Sequence, residues 1–384
     1  MLRAGVGLST ERDSKRAAAD AAGGALRSAG VDKADLVLVF ATTAHGPGFT
    51  QVTRTAAETC ATRDVVGCSA AGVLAGEEEV ESGPGVAVLA LAGDVSVRRF
   101  FVPISRGRAA DAAAEIVSAD ARDTPDPRLV VVFADSYNVE LEPFFEALAA
   151  RLPGVPVVGG GASEDGSVGE VSVFSGDASS SHAVAGVVIG GAVRSTIAVA
   201  QALRRVGPVR RITSTSGNWI LTLDGRPALQ AFRDVVPGSL LADTRRALTV
   251  VLAGVSDGDG DFVARHLVAL DEERGALGVA ARASVGGELF FGVRDPLAAR
   301  DDLQRALTDQ ARSWENPPAG ALYVNCVGRG RNFYGMPGLD TAYIGQRLGR
   351  LPVAGFFSSA EFASVRGAAR VHQYSGILAV LGAA

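Results

Sequence analysis

The apolar positions of this chain gather mainly in short unbroken runs. Asp35-Leu36-Val37-Leu38-Val39-Phe40 is β-branched and apolar on both faces, the pattern of a strand covered on two sides. Ahead of it, Arg12 to Ser28 is Ala-rich and closes at Gly30, which predicts a helix with a glycine stop. Thr10 followed by Asp13 forms a capping-box-like start for that helix.

This opening is echoed along the chain. Leu36 to Phe40 is followed about thirty residues later by Val65-Val66-Gly67-Cys68-Ser69-Ala70. Leu129-Val130-Val131-Val132-Phe133 is followed at a similar distance by Val157-Val158-Gly159-Gly160-Gly161-Ala162, and Leu322-Tyr323-Val324-Asn325 by Val353-Ala354-Gly355-Phe356-Phe357-Ser358. Amphipathic segments, Glu142 to Arg151 and Asp340 to Leu348, lie between the strands of the later two units. Each unit closes on another apolar run: Val86 to Leu91, Ala183 to Ile189, and Gly376 to Val380. The chain is therefore expected to consist of pseudo-repeated strand-helix-strand units. Further strands are expected at Asn218 to Leu223, ending in an Asp224-Gly225 hairpin turn, at Leu248 to Gly254 and at Leu289 to Val293. Strands outnumber helices, which favours an α/β fold of layered mixed sheets with helices outside.

Composition adds domain number and excludes partners. A length of 384 residues exceeds what one core usually serves, so two domains are expected, divided within Val206 to Gly217 into 1–210 and 211–384. A net charge of −5 without a basic block gives no electrostatic footprint for nucleic acid or an anionic membrane. The N-terminus leads straight into charged residues with no apolar signal region. Three cysteines without paired metal spacing suit a reducing compartment, so a cytoplasmic protein is expected.

Val66-Gly67-Cys68-Ser69-Ala70-Ala71-Gly72, followed by Val86 to Leu91, resembles the hallmark of the FIST N-terminal domain. Thr213 to Ala228 looks like the entry to the FIST C-terminal domain, and Asn325 to Gly330, Pro352 to Phe357 and Glu361 resemble its closing motifs. The resemblance implies a sensory domain of signal transduction that binds small ligands such as amino acids. Some bacterial relatives are linked to haem and nitric oxide, and others carry kinase or cyclase modules. No residues remain here for such a module, so a stand-alone sensor acting on a separate histidine kinase or cyclase is expected.

The candidate ligand residues cluster after strand ends, where ligands collect in open α/β sheets. Asn325-Cys326-x-Gly328-Arg329 offers an amide and a planar fork for a carboxylate; the alternative is a turn whose arginine pairs with a nearby acid. Phe356, Phe357, Ser359 and Glu361 occupy the equivalent place after the partner strand, as an apolar wall with an acid for an ammonium group, or as core aromatics with a solvated acid. Cys68, Ser69, Gly160 and Ser163 lie in small-residue turns that allow close approach to a ligand or simply close packing. No Gly-Lys-Ser/Thr accompanies the glycine runs, so a phosphate loop is excluded. Asp257, Asp259 and Asp261 mimic the start of a calcium loop, but Val268 stands where the bidentate glutamate belongs. No cofactor, metal or catalytic residue is expected. A haem-binding gas sensor is one alternative, although no Cys-x-x-Cys-His is present. A Cys-dependent hydrolase, with Cys326 and His372 as nucleophile and base, is the other.

Overall fold

The computed structural model describes residues 1–104, 109–256 and 260–384. The aspartates at 257 and 259, read above as part of a turn, lie outside the described residues. The chain forms two compact units, one of Met1–Ala200, Leu303–Val371 and Ser375–Ala384, the other of Gln201–Asp302 and His372–Tyr374.

The larger unit is a threefold repeat. The first repeat runs β1 (Arg3–Ser9), α1 (Ser14–Ala29), β2 (Leu36–Thr42), α2 (Phe49–Thr59), β3 (Val65–Ala70), a hairpin of β4 (Val73–Ala75) and β5 (Glu78–Val80), and β6 (Val86–Ala92). The second follows the same order: β7 (Val95–Pro103), α3 (Ala109–Asp123), β8 (Pro127–Ala134), α4 (Leu141–Arg151), β9 (Val157–Gly161), the hairpin β10 (Val173–Ser175) and β11 (Ala178–Ser180), and β12 (Ala183–Gly191). The third opens with β13 (Val193–Ala200), and the chain then leaves to build the smaller unit.

That unit contains β14 (Leu203–Ser216), β15 (Trp219–Leu223), β16 (Arg226–Pro227), the short helices α5 (Ala228–Arg233), α6 (Gly238–Leu241) and α7 (Thr244–Val250), then β17 (Val251–Ser256), β18 (Val263–Asp271), β19 (Ala276–Val279) and β20 (Glu288–Arg294). Its strands pair in the order β14-β20-β17-β18-β19-β15, and β14 also pairs with β15. The sheet therefore closes on itself as an antiparallel barrel. Two bulged stretches let the long β14 serve both neighbours. Ile212, Leu223, Phe232, Leu277 and Phe291 fill its core.

The third repeat resumes with α8 (Pro296–Arg312), β21 (Gly320–Cys326), α9 (Arg331–Tyr334), α10 (Leu339–Leu348), β22 (Val353–Ser358), the hairpin β23 (Glu361–Val365) and β24 (Ala368–His372), and β25 (Gly376–Ala383).

The three sheets share one strand plan. Among the described residues they run β1-β6-β2-β3-β10-β11, β7-β12-β8-β9-β23-β24 and β13-β25-β21-β22-β4-β5. Each pairs its two inner strands in parallel, β2 with β3, β8 with β9, and β21 with β22. Each is completed by a hairpin from another repeat, so the hairpins are exchanged in a closed cycle.

Register explains the echoed glycine. Gly67, Gly159 and Gly355 pair with Val39, Val132 and Tyr323 in the three parallel ladders. A Cβ at any of the three would fall on the carbonyl oxygen of that partner, so only glycine lets the strands approach. The apolar faces of the three sheets form one core, in which Phe356 stacks on Phe40 at 4.7 Å and meets Phe133 edge-on at 5.8 Å.

Three local expectations change. The N-cap of α1 is Asp13, whose carboxylate accepts from the Arg16 N–H, because Thr10 lies outside the helix. Val206 to Gly217, where the domain boundary was expected, runs almost wholly within β14. Leu248 to Gly254 is divided between α7 and β17. The compact units also differ from a 1–210 and 211–384 division, because β21, β22 and β25 complete the sheet begun by β13.

Candidate functional site

The shared register allows the repeats to be compared position by position. Two polar groups of the third repeat have small or apolar counterparts. Asn325 pairs with Phe357 where Ala41 and Ala134 stand in the other ladders. Glu361 pairs with Gly160 where Val173 pairs with Cys68 and Val73 with Phe356. Cys326 is different: it stands where Thr42 stands in the first repeat and where Asp135 follows Ala134 in the second, so that position is polar or charged there too.

Glu361 is fully buried. Its carboxyl accepts from the Ser358 hydroxyl at 2.8 Å and the Ser375 N–H at 3.0 Å, and the Cys326 thiol is a further hydrogen-bond partner. Burial raises its pKa to about 8 despite these bonds and the Arg329 charge, so it keeps its proton at neutral pH. A neutral carboxyl does not supply the charge expected to hold an ammonium group.

Arg329 is 1% exposed. Its Nε donates to Asp340 Oδ2 at 3.1 Å and its Nη2 to Oδ1 at 3.2 Å, while Nη2 also donates to the Tyr334 hydroxyl at 2.6 Å. Burial opposes the guanidinium charge, but the Asp340 carboxylate beside it outweighs that and holds its pKa above the usual arginine value. The fork expected to clamp a ligand carboxylate is thus engaged by one from the chain itself. Tyr323 donates to the same Asp340 Oδ2 at 3.0 Å.

Asn325 lies on the Tyr323 face of β21, two residues along the strand. It is fully buried, and neither its Nδ2 nor its Oδ1 has a hydrogen-bond partner among the described residues. Across the sheet it sits in one row with Ala200, Gly376 and Phe357. A Cβ on Gly376 would meet the Tyr323 hydroxyl, so that hydroxyl lies over the neighbouring position of the row.

The remaining expected residues fall in two groups. Cys68, Gly160 and Phe356 pack the core: Cys68 is fully buried with its thiol pKa pushed up by desolvation, and a Cβ on Gly160 would stand 3.0 Å from Phe356. Ser69, Ser163 and Ser359 meet in a seam that ties strand ends together. The Ser69 hydroxyl donates to the Ser163 carbonyl at 3.1 Å, the Ser163 hydroxyl to the Phe357 carbonyl, and the Ser359 hydroxyl to the Ala162 carbonyl at 2.7 Å. Phe357 lies on the Asn325 face. Sequence reasoning missed Tyr323, Tyr334 and Asp340. The one signal was an acid in the first turn of the amphipathic segment at Asp340.

Residues 35–226 match the FIST N domain and residues 228–364 the FIST C domain. The chain belongs to the FIST family. FIST domains are sensory modules of signal transduction. The two FIST matches meet near residue 227, inside the smaller compact unit. This FIST protein is similar to the uncharacterized protein Rv0628c of Mycobacterium tuberculosis, 30% identical over 386 residues and 99% of each chain. It is likewise similar to the uncharacterized protein Mb0898c of Mycobacterium bovis, 31% identical over 389 residues, 99% of this chain and 98% of that one. Among solved structures, a cyanuric acid hydrolase from A. caulinodans aligns over 100% of this chain and 99% of its own, at 10% identity and a TM-score of 0.38. Among the described residues no helix is long and apolar enough to cross a membrane.

Proposed function

We propose that this chain is a ligand-sensing module without catalytic activity, and that its ligand binds at the carboxyl ends of β21 and β22, against Asn325. The observation that carries this reading is the Asn325 carboxamide, fully buried and unpartnered. Leaving such a group unbonded is unfavourable by roughly 1–3 kcal/mol, and two of the three equivalent positions avoid it with alanine. A role in signal transduction is in keeping with the family. A haem reading would need an axial histidine, and His45 and His372 are 1% and 3% exposed.

A thermal-shift screen of the whole chain against amino acids, small organic acids, small amides and haem tests this reading. A ligand at a hundredfold excess over its Kd stabilises by roughly 3 kcal/mol. A compound that does so in the wild type and not in Asn325→Ala supports the reading. Stabilisation by haem alone, with a Soret band, overturns it.

A further inference from the structure

The charge balance around Asn325 limits what can bind there. Arg329 and Asp340 form a bidentate pair within the fold, with side chains 0% and 1% exposed. Their charges cancel. Burial, with the Asp340 charge beside it, pushes the Tyr323 and Tyr334 phenols up, so both hydroxyls stay un-ionised. Neither that pair nor the two tyrosines therefore adds net charge to the face that carries Asn325, and the carboxylates at its edge, Glu81 beside Gly330 and Asp302 on the Gln201 N–H, are negative. An ionised carboxylate brought into it would be a buried charge without a counter-ion, which is strongly unfavourable. The Asn325 side chain instead presents two N–H donors beside one carbonyl acceptor. Its complement is a group with an N–H next to a C=O. Phe357, in the same row, supplies an apolar wall.

From these observations we propose that the Asn325 site recognises an uncharged ligand through an amide-like edge, as in a primary carboxamide, a urea or a lactam, and rejects carboxylates and zwitterions. This inference rests on the reading of Asn325 as the ligand site and names the chemistry of what enters it. Entry requires movement, because Asn325 is fully buried. The segment after β21 is suited to that. It carries Gly330, Gly335 and Gly338 at φ of 76°, 78° and 71°, and its short helix α9 buries no residue.

The chain has five asparagines, so selective 15N-asparagine labelling gives a resolvable set of side-chain NH2 signals. Asn325→Leu identifies the Asn325 pair by its loss. The whole labelled chain is titrated with acetamide and 2-pyrrolidinone, and separately with acetate and glycine. The proposal expects saturable shifts of the Asn325 pair with the two amides and none with acetate or glycine at equal concentration. Shifts with acetate or glycine that match or exceed those with the amides overturn the ligand class and leave the site standing. An Asn325 pair unmoved by all four probes means that the amide is served by solvent alone and overturns both.

Discussion

Glu361 ties the interior of the third repeat to pH in a way that can be measured directly. Replacing it with glutamine keeps the shape and an acceptor for the Ser375 N–H while removing the ionisable proton. The wild-type carboxyl moves from an ordinary 4.5 to about 8 because it is fully buried. Below 4.5 the residue is protonated in both folded and unfolded chains and adds no pH dependence. Between 4.5 and about 8 the unfolded chain releases the proton while the folded chain keeps it, so stability falls as pH rises and levels off above the folded value. Each pH unit of that window is worth about 1.4 kcal/mol, for a total on the order of 4 to 5 kcal/mol. That is a large part of a domain's usual stability of roughly 5–15 kcal/mol. Trp314 lies in the larger unit and Trp219 in the smaller one, so urea unfolding followed by fluorescence in a Trp219→Phe background reports the larger unit. Across pH 5 to 8.5 the stability of Glu361→Gln relative to the parent should rise by several kcal/mol. Parallel pH profiles for the two proteins would refute the argument that burial holds the proton.

Two further outcomes follow from named contacts. Arg329→Ala should destabilise the larger unit by about 3–5 kcal/mol by leaving Asp340 buried and unpaired, and Arg329→Lys should recover only part because it lacks the fork; urea unfolding of both variants without added ligand checks this. The segment after β21 is fastened by Glu81, which accepts from the Arg331 N–H at 2.8 Å, and by Glu79, which accepts from the Gly338 N–H at 3.0 Å. Cys326 lies at its base, with its Sγ accepting from the Gly328 N–H at 3.4 Å. Glu81→Ala should raise the rate of Cys326 alkylation by about tenfold or more and leave the fully buried Cys60 and Cys68 unchanged, as read by mass spectrometry.

The repeat was legible because its cause is local: a parallel strand pair closed by a glycine leaves the same short signature each time. Position-by-position echoes such as Gly159 and Gly355 carried the fold class without any knowledge of contacts. The exchanged hairpins were not legible, since strands of three residues such as Val73–Ala75 and Val173–Ser175 are too short to show a period. The barrel was hidden for a related reason. Its closing strand β14 alternates weakly and carries Gly207 and Pro208, residues that read as a domain boundary. At the proposed site, residue types marked the ends of β21 and β22 but not the partners of the side chains there. Arg329 read either as a ligand clamp or as paired with a nearby acid, and nothing local named Asp340, which reaches it from a helix eleven residues on; Glu361 read as an ammonium partner or a solvated acid because nothing in the sequence shows that Ser358 and Ser375 enclose it. Asn325 was marked for its hydrogen-bonding capacity. Only the packed structure shows that this capacity is unused.

A buried group retained for binding should cost the unliganded fold stability, whereas a structural group should support it. The most direct test is therefore the urea unfolding free energy of Asn325→Leu, measured without ligand and again with whichever compound stabilises the wild type. The account predicts that Asn325→Leu, which removes an unsatisfied amide and nearly keeps its volume, is as stable as the wild type or more stable by about 1–3 kcal/mol, and gains nothing from that compound. A variant clearly less stable than the wild type without ligand, yet stabilised by the compound to the same extent, would contradict it.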